Sequence, residues 1–133
     1  MTRRERLIHI AGNAATNVDP TNCEFLVGAV VAHGNRVIST GCCMAKTHPR
    51  NPKRGTSTHK KQLCAEVSAI LRALSIVSKR RIHHCTVYVT RRRRDGSYGM
   101  AKPCSHCQTF LRENGIKKAF YTTNLGGIDS IRI

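Results

Sequence analysis

Apolar positions along the chain fall into two patterns, one with helical spacing and one in short continuous runs, and the two alternate. From Thr2 to Asn17, Leu7, Ile8, Ile10, Ala11, Ala14 and Ala15 recur at i, i+3, i+4 spacing and predict a helix that Asp19-Pro20 closes. Gly12 weakens it, and its arginine-rich first turn opposes the helix dipole. Phe25 to Ala32 reads F-L-V-G-A-V-V-A, the continuous run of a buried strand. His33-Gly34-Asn35-Arg36 is a turn, and Val37 to Gly41 returns as the second strand of a hairpin. Leu63 to Ser78 carries the clearest helical stripe, in Leu63, Val67, Ile70, Leu71, Leu74 and Val77, and Lys79-Arg80-Arg81 at its end suits the dipole. Cys85 to Thr90 is a strand. Cys104 to Asn114 is a short helix entered through Pro103 and stopped at Gly115, and Ile116 to Thr123 is a strand. The turn Asn124-Leu125-Gly126-Gly127 leads into a final segment, Ile128 to Ile133.

The order is therefore α-β-β-α-β-α-β-β, which implies a mixed sheet with helices packed on it. The turn before Ile128 is too short for a crossover helix, so the last strand is expected antiparallel to its predecessor. Two stretches lack apolar periodicity. Met44 to Gln62 is basic, and it is read as a loop over the mouth of a site because it runs directly into the second helix. Arg91 to Ala101, R-R-R-R-D-G-S-Y-G-M-A, is read as a second basic loop. Residues 1–133 make one domain, with no internal repeat and no room for a separate binding module.

Composition changes this picture in two respects. Aromatic residues are only 5% of the chain with no Trp, so the core must be built from Val, Ile, Leu and Ala. The 23 Lys and Arg against 7 Asp and Glu give a net charge of +16, which draws polyanions: nucleic acid, nucleotide phosphates or an acidic partner. Seven cysteines at uneven spacings, with no apolar signal segment, speak against a secreted disulfide framework and for a reducing, cytoplasmic compartment. No run approaches the roughly 20 apolar residues of a membrane span.

The chemistry concentrates in Cys64-Ala65-Glu66 and Pro103-Cys104-Ser105-His106-Cys107. A C-x-x-C alone fits a redox pair, a structural zinc site or chance. A third Cys followed two residues on by Glu, with Pro directly before the C-x-x-C, fits the pattern of zinc-dependent base deaminases in its three-cysteine version. Cys64, Cys104 and Cys107 are then the zinc ligands, one ion per chain, with the fourth position left for water. Glu66 is the proton carrier between that water and the base. A structural zinc site would need a fourth ligand from His106, His59, Cys43 or Cys42. A redox pair would leave Cys64 and Glu66 without a role.

On these residues the chain resembles the cytidine/deoxycytidylate deaminase superfamily, over Phe25 to Thr123 at least. The resemblance implies a three-layer α-β-α domain, a five-stranded mixed sheet and zinc held between two helix N-termini. It implies hydrolytic deamination at C4 of cytosine in a nucleoside or its monophosphate, and a homo-oligomer, dimer or tetramer. Ala65 would meet the base through its backbone, Phe25 and Pro103 would line the pocket, and Lys46 in the basic loop would receive a phosphate. Two positions depart from the family pattern. Val67 stands where relatives of this type carry an Arg that offsets the three thiolates, so another basic residue or backbone N–H groups must do so. Cys43 occupies the place of the Asn that holds the sugar, and Ala45 that of a Glu. The charge keeps a second reading open, a deaminase of cytidine or adenosine in RNA or single-stranded DNA, with Arg91 to Arg94 as a backbone track. A zinc-containing nucleic-acid binder without catalysis is a third, and Glu66 argues against it.

Overall fold

The computed structural model describes residues 1–17, 26–43 and 64–133. Phe25, Lys46, Cys23, His59, Leu63 and the basic stretch from Met44 to Gln62 lie outside the described residues. The elements are α1 (Arg3–Ala15), β1 (Leu26–His33), β2 (Arg36–Cys42), α2 (Ala65–Ile76), α3 (Lys79–Ile82), β3 (Thr86–Arg92), β4 (Tyr98–Gly99), α4 (Ser105–Glu113), β5 (Lys118–Thr122) and β6 (Ile128–Arg132). The sheet runs β2-β1-β3-β5-β6, with β4 pairing β3 off that path. Only β3 and β5 are parallel, and β6 returns antiparallel to β5 as the short turn requires.

The apolar positions divide cleanly between the two faces of this sheet. Ala29, Val31, Val87, Val89, Ala119 and Tyr121 meet α2 and α4 on one face. Val30, Ala32, Tyr88 and Phe120 meet Leu7, Ile8 and Ala11 of α1 on the other. Alternation along each strand produces this division.

Helix α1 forms despite its basic start. Thr2 and Glu5 close a capping box, the Thr2 hydroxyl accepting the Glu5 N–H at 3.1 Å and the Glu5 carboxylate accepting from Thr2. The predicted helix from Leu63 to Ser78 is corrected at its C-terminal end. Helix α2 stops at Ile76, Val77 turns extended (φ −129°, ψ 163°), and Ser78 caps the separate short helix α3 by accepting the Arg81 N–H. Lys79, Arg80 and Arg81 therefore belong to α3 and do not cap α2.

The predicted basic loop from Arg91 is also corrected. Strand β3 continues to Arg92, and Arg91 and Arg92 pair with Gly99 and Tyr98 in a hairpin. Asp95 accepts from the Ser97 N–H and hydroxyl at 2.9 and 2.6 Å, and Gly96 takes a φ of 90°, so an Asp-Gly turn supplies the reversal. Among the described residues the two-residue β4 thus stands beside β3 in addition to the expected five-stranded path.

Candidate active site at two helix N-termini

Close contact between β2 and α2 sets the position of the first sulfur. A β-carbon at Gly41 would stand 2.5 Å from the Ala69 nitrogen and 2.8 Å from the Ala65 carbonyl oxygen, so only glycine lets the first turn of α2 lie this near the strand. The Ser39 hydroxyl donates to the Ala69 carbonyl at 2.7 Å and fixes the same turn. Cys64 is the N-cap of α2 and Cys104 the N-cap of α4, both with extended backbones (ψ 151° and 168°). Neither side chain makes a capping hydrogen bond. Their carbonyls accept the Ser68 and Gln108 N–H groups, both at 2.9 Å.

Cys107 lies one turn into α4, 1% exposed. Hydrogen bonds with the Cys104 and Cys64 thiols, then burial, then the charge of Glu66, hold its ionisation well above the usual thiol range. Side chains from the starts of two helices therefore converge on Cys107. Glu66 is 6% exposed in the first turn of α2, where the backbone N–H groups favour a carboxylate.

Among the described residues no group of three or more His, Cys, Asp or Glu side chains is arranged to hold a metal ion. The donor set nevertheless suits zinc. Cys107 hydrogen-bonds both Cys104 and Cys64, which stand at two helix N-termini whose N–H groups would stabilise thiolates on a cation. No disulfide engages Cys42, Cys43, Cys64, Cys85, Cys104 or Cys107.

The remaining expected site residues divide. Ala65 is buried under Gly41 in the first turn of α2. Pro103 is buried, and its carbonyl accepts the Gln108 side-chain amide at 2.8 Å, which fixes the entry into α4. Cys43 follows β2, half-buried, its N–H on the Val27 carbonyl at 3.1 Å. His106 is exposed. Phe25 and Lys46 fall outside the described residues.

Register reveals a residue that the pattern alone did not single out. Gly41, Ala29 and Val89 form one row across the sheet beneath α2. Two residues further toward the C-terminal end of β3, Cys43, Val27, Arg91 and Gly99 form the next row on that face. Half-buried Arg91 thus shares this row with Cys43 across the intervening Val27, its stem over Gly99, where a β-carbon would stand 3.2 Å from the Arg91 Cδ. Thr122 ties this corner together. Its hydroxyl accepts the Arg91 N–H at 3.2 Å and donates to the Gly99 carbonyl at 2.7 Å, and its carbonyl accepts the Ala101 N–H. Asn124 Oδ1 accepts the Met100 N–H and a guanidinium N–H of Arg93. Only the run of four arginines hinted at this corner; Thr122 and Asn124 carried no signal.

A family model described as the cytidine and deoxycytidylate deaminase zinc-binding region matches residues 1–123. Solved structures share the fold. A cytidine deaminase from Burkholderia pseudomallei is 20% identical with a TM-score of 0.70, over 99% of this chain and 93% of that one. The dCMP deaminase of the cyanophage S-TIM5 is 18% identical with a TM-score of 0.65, over 91% and 82%. A structure from work on A-to-I editing by tRNA:A34 deaminases is 22% identical with a TM-score of 0.62, over 95% and 82%. A search of curated proteins found no match in sequence.

Proposed function

The chain belongs to the cytidine and deoxycytidylate deaminase family, and from that premise we propose that it hydrolyses the exocyclic amine of cytosine in a nucleoside or nucleotide. The observation that carries this reading is the buried Glu66 carboxylate held beside three converging thiols at the N-termini of α2 and α4.

Cys64, Cys104 and Cys107 would hold one zinc ion per chain. Bound there, zinc supplies Lewis acidity that makes water a nucleophile near neutral pH. The chain's own residues do the rest. Glu66 takes one proton from the attacking water and gives it to the ring nitrogen beside C4, where it stays, then carries the second proton of that water to the departing amine. A C–O bond forms at C4, the C–N bond breaks, and ammonia leaves. The first turn of α2, locked against Gly41 and Ser39, holds Glu66 at one distance from the sulfurs. The row of Cys43, Val27 and Arg91 floors the space in front of them.

Ammonia release is to be measured from cytidine, deoxycytidine, their 5′-monophosphates and a cytosine-containing oligonucleotide, with zinc counted on the same sample. The expected result is one zinc per chain, and turnover that falls by about 10³-fold in Glu66→Gln with zinc content unchanged. Turnover of that variant within about tenfold of wild type, or a protein that binds no zinc, overturns the reading. The oligonucleotide is included because the β3–β4 hairpin presents Arg92, Arg93 and Arg94 near the same end of the sheet. Faster turnover of it than of every monomer moves the substrate to polynucleotide without changing the roles of Glu66 and the thiols.

A further inference from the structure

Among the described residues, the face of the sheet opposite Cys64, Cys104 and Cys107 is only partly covered. Helix α1 packs on β1, β2 and β3 but meets β5 little, and β6 is left beyond it. Beside α1 this leaves an open groove of about 700 Å³, whose lining includes Arg3, Arg4, Tyr88, Phe120 and Ile128.

Its floor is aromatic. Tyr88 and Phe120 stack with ring centroids 5.2 Å apart and planes 12° from parallel. The Arg4 guanidinium stands 4.3 Å above the Phe120 ring, and the Lys118 ammonium lies 5.0 Å from the same centroid. Arg132, the cross-strand partner of Lys118, adds a cation on this face. The acid in the lining, Glu5, is engaged on the Thr2 backbone and hydroxyl. Asp129 acts on Tyr121 on the other face. Among the described residues, Gly126 and Gly127 line one end of the groove without side chains of their own.

We infer that this groove binds single-stranded nucleic acid at a site separate from the deaminase cleft. Cations along the rim suit phosphates, and a guanidinium held over an aromatic ring offers a platform on which an unpaired base stacks. The glycine end lets a strand run on past the groove. A second copy of the chain fits poorly, since it brings another +16 to a cationic face.

The test is fluorescence anisotropy of the full chain with labelled 20-nucleotide oligouridylate and oligothymidylate across a salt series. The double variant Arg3→Glu and Arg4→Glu is compared with a charge-matched control, Lys79→Glu and Arg80→Glu on exposed α3. The groove variant should lose about tenfold or more in affinity, with a salt slope shallower by about 1.4 for two lost phosphate contacts. The control should lose less than about threefold. Phe120→Leu should weaken binding about fivefold or more at an unchanged salt slope. Ammonia release from cytidine should stay within about twofold of wild type in both charge variants, which shows them folded and separates the groove from the cleft. Equal losses in groove and control variants reduce the binding to the general field of the protein and overturn the inference. So does unchanged affinity in the groove variant, or a groove variant that alters sedimentation of the protein alone without altering affinity, which would assign the face to a second copy of the chain.

Discussion

Gly28 and Gly41 lie one residue apart in the β1–β2 register and face opposite sides of the sheet. A β-carbon at Gly28 would stand 2.0 Å from the Ala11 carbonyl oxygen, against α1, while one at Gly41 meets α2. Both obstacles are backbone, which cannot swing aside as a side chain can. Gly41→Ala should destabilise the protein by about 3 kcal/mol or more, and Gly28→Ala at least as much, in urea denaturation. Gly34→Ala, in open space with a φ of 61°, should cost only about 1 kcal/mol. Any folded Gly41→Ala protein should also lose turnover, because the displaced turn of α2 carries Cys64 and Glu66. The sequence showed these glycines in V-G-A and I-x-x-G runs, but nothing in the one-letter pattern says how near a helix will come. The pairing of Cys104 and Cys107 was legible in their spacing on one helical turn, whereas Cys64, 40 residues earlier, joined them only through the resemblance. Arg91 was not, because its place on the cleft floor depends on pairing with Val27 and Gly99.

Among the elements, α1 shows how a local device overrides an average tendency. Arg3, Arg4 and Arg6 in the first turn are unfavourable to the dipole, yet Thr2 and Glu5 satisfy N-terminal donors reciprocally. Thr2→Ala should lower stability by about 1 kcal/mol, read as a fall in melting temperature. A Thr2→Ser variant should recover most of it. Capping is also where the sequence reading of α2 went astray. Apolar spacing runs on through Val77, but Ser78 accepts an N–H three residues on and restarts the chain as α3. The β3–β4 hairpin escaped for a related reason: four consecutive arginines carry no strand pattern, and it is the Asp95-Gly96 turn with the β1 partners that makes them a ladder. Long elements with one apolar face were readable throughout, as was the antiparallel return of β6. Their ends were set by single polar side chains.

For the whole molecule, proton uptake follows from what the core buries. Hydrogen bonds from neighbouring thiols raise the ionisation of Cys107 first of all, and burial raises that of Cys85 and Tyr88. Arg81 opposes the shift at Cys85, and Arg3 and Arg4 oppose it at Tyr88. Each group keeps its proton in the native state at a pH where the unfolded chain has released it. The unfolded state then binds fewer protons, so stability is fully present below the unfolded thiol range and falls as pH rises beyond it. The melting temperature of chelator-treated protein should fall from about pH 8.5 upward. The zinc-loaded protein should fall less steeply there, because its cysteines are already deprotonated. Melting curves at matched ionic strength with and without chelator check this; parallel curves would contradict it.

The return of β6 also decides where the chain can be held. The candidate cleft opens at the C-terminal end of β3. Because β6 runs antiparallel to β5, Ile133 lies at the opposite pole, its N–H on the Lys117 carbonyl at 2.9 Å. A parallel last strand would have delivered the chain to the mouth of the cleft. As built, Arg132 and Ile133 are held beside Lys118 and Lys117 at the pole away from the cleft, so a dye placed on this edge of the sheet should leave substrate access clear.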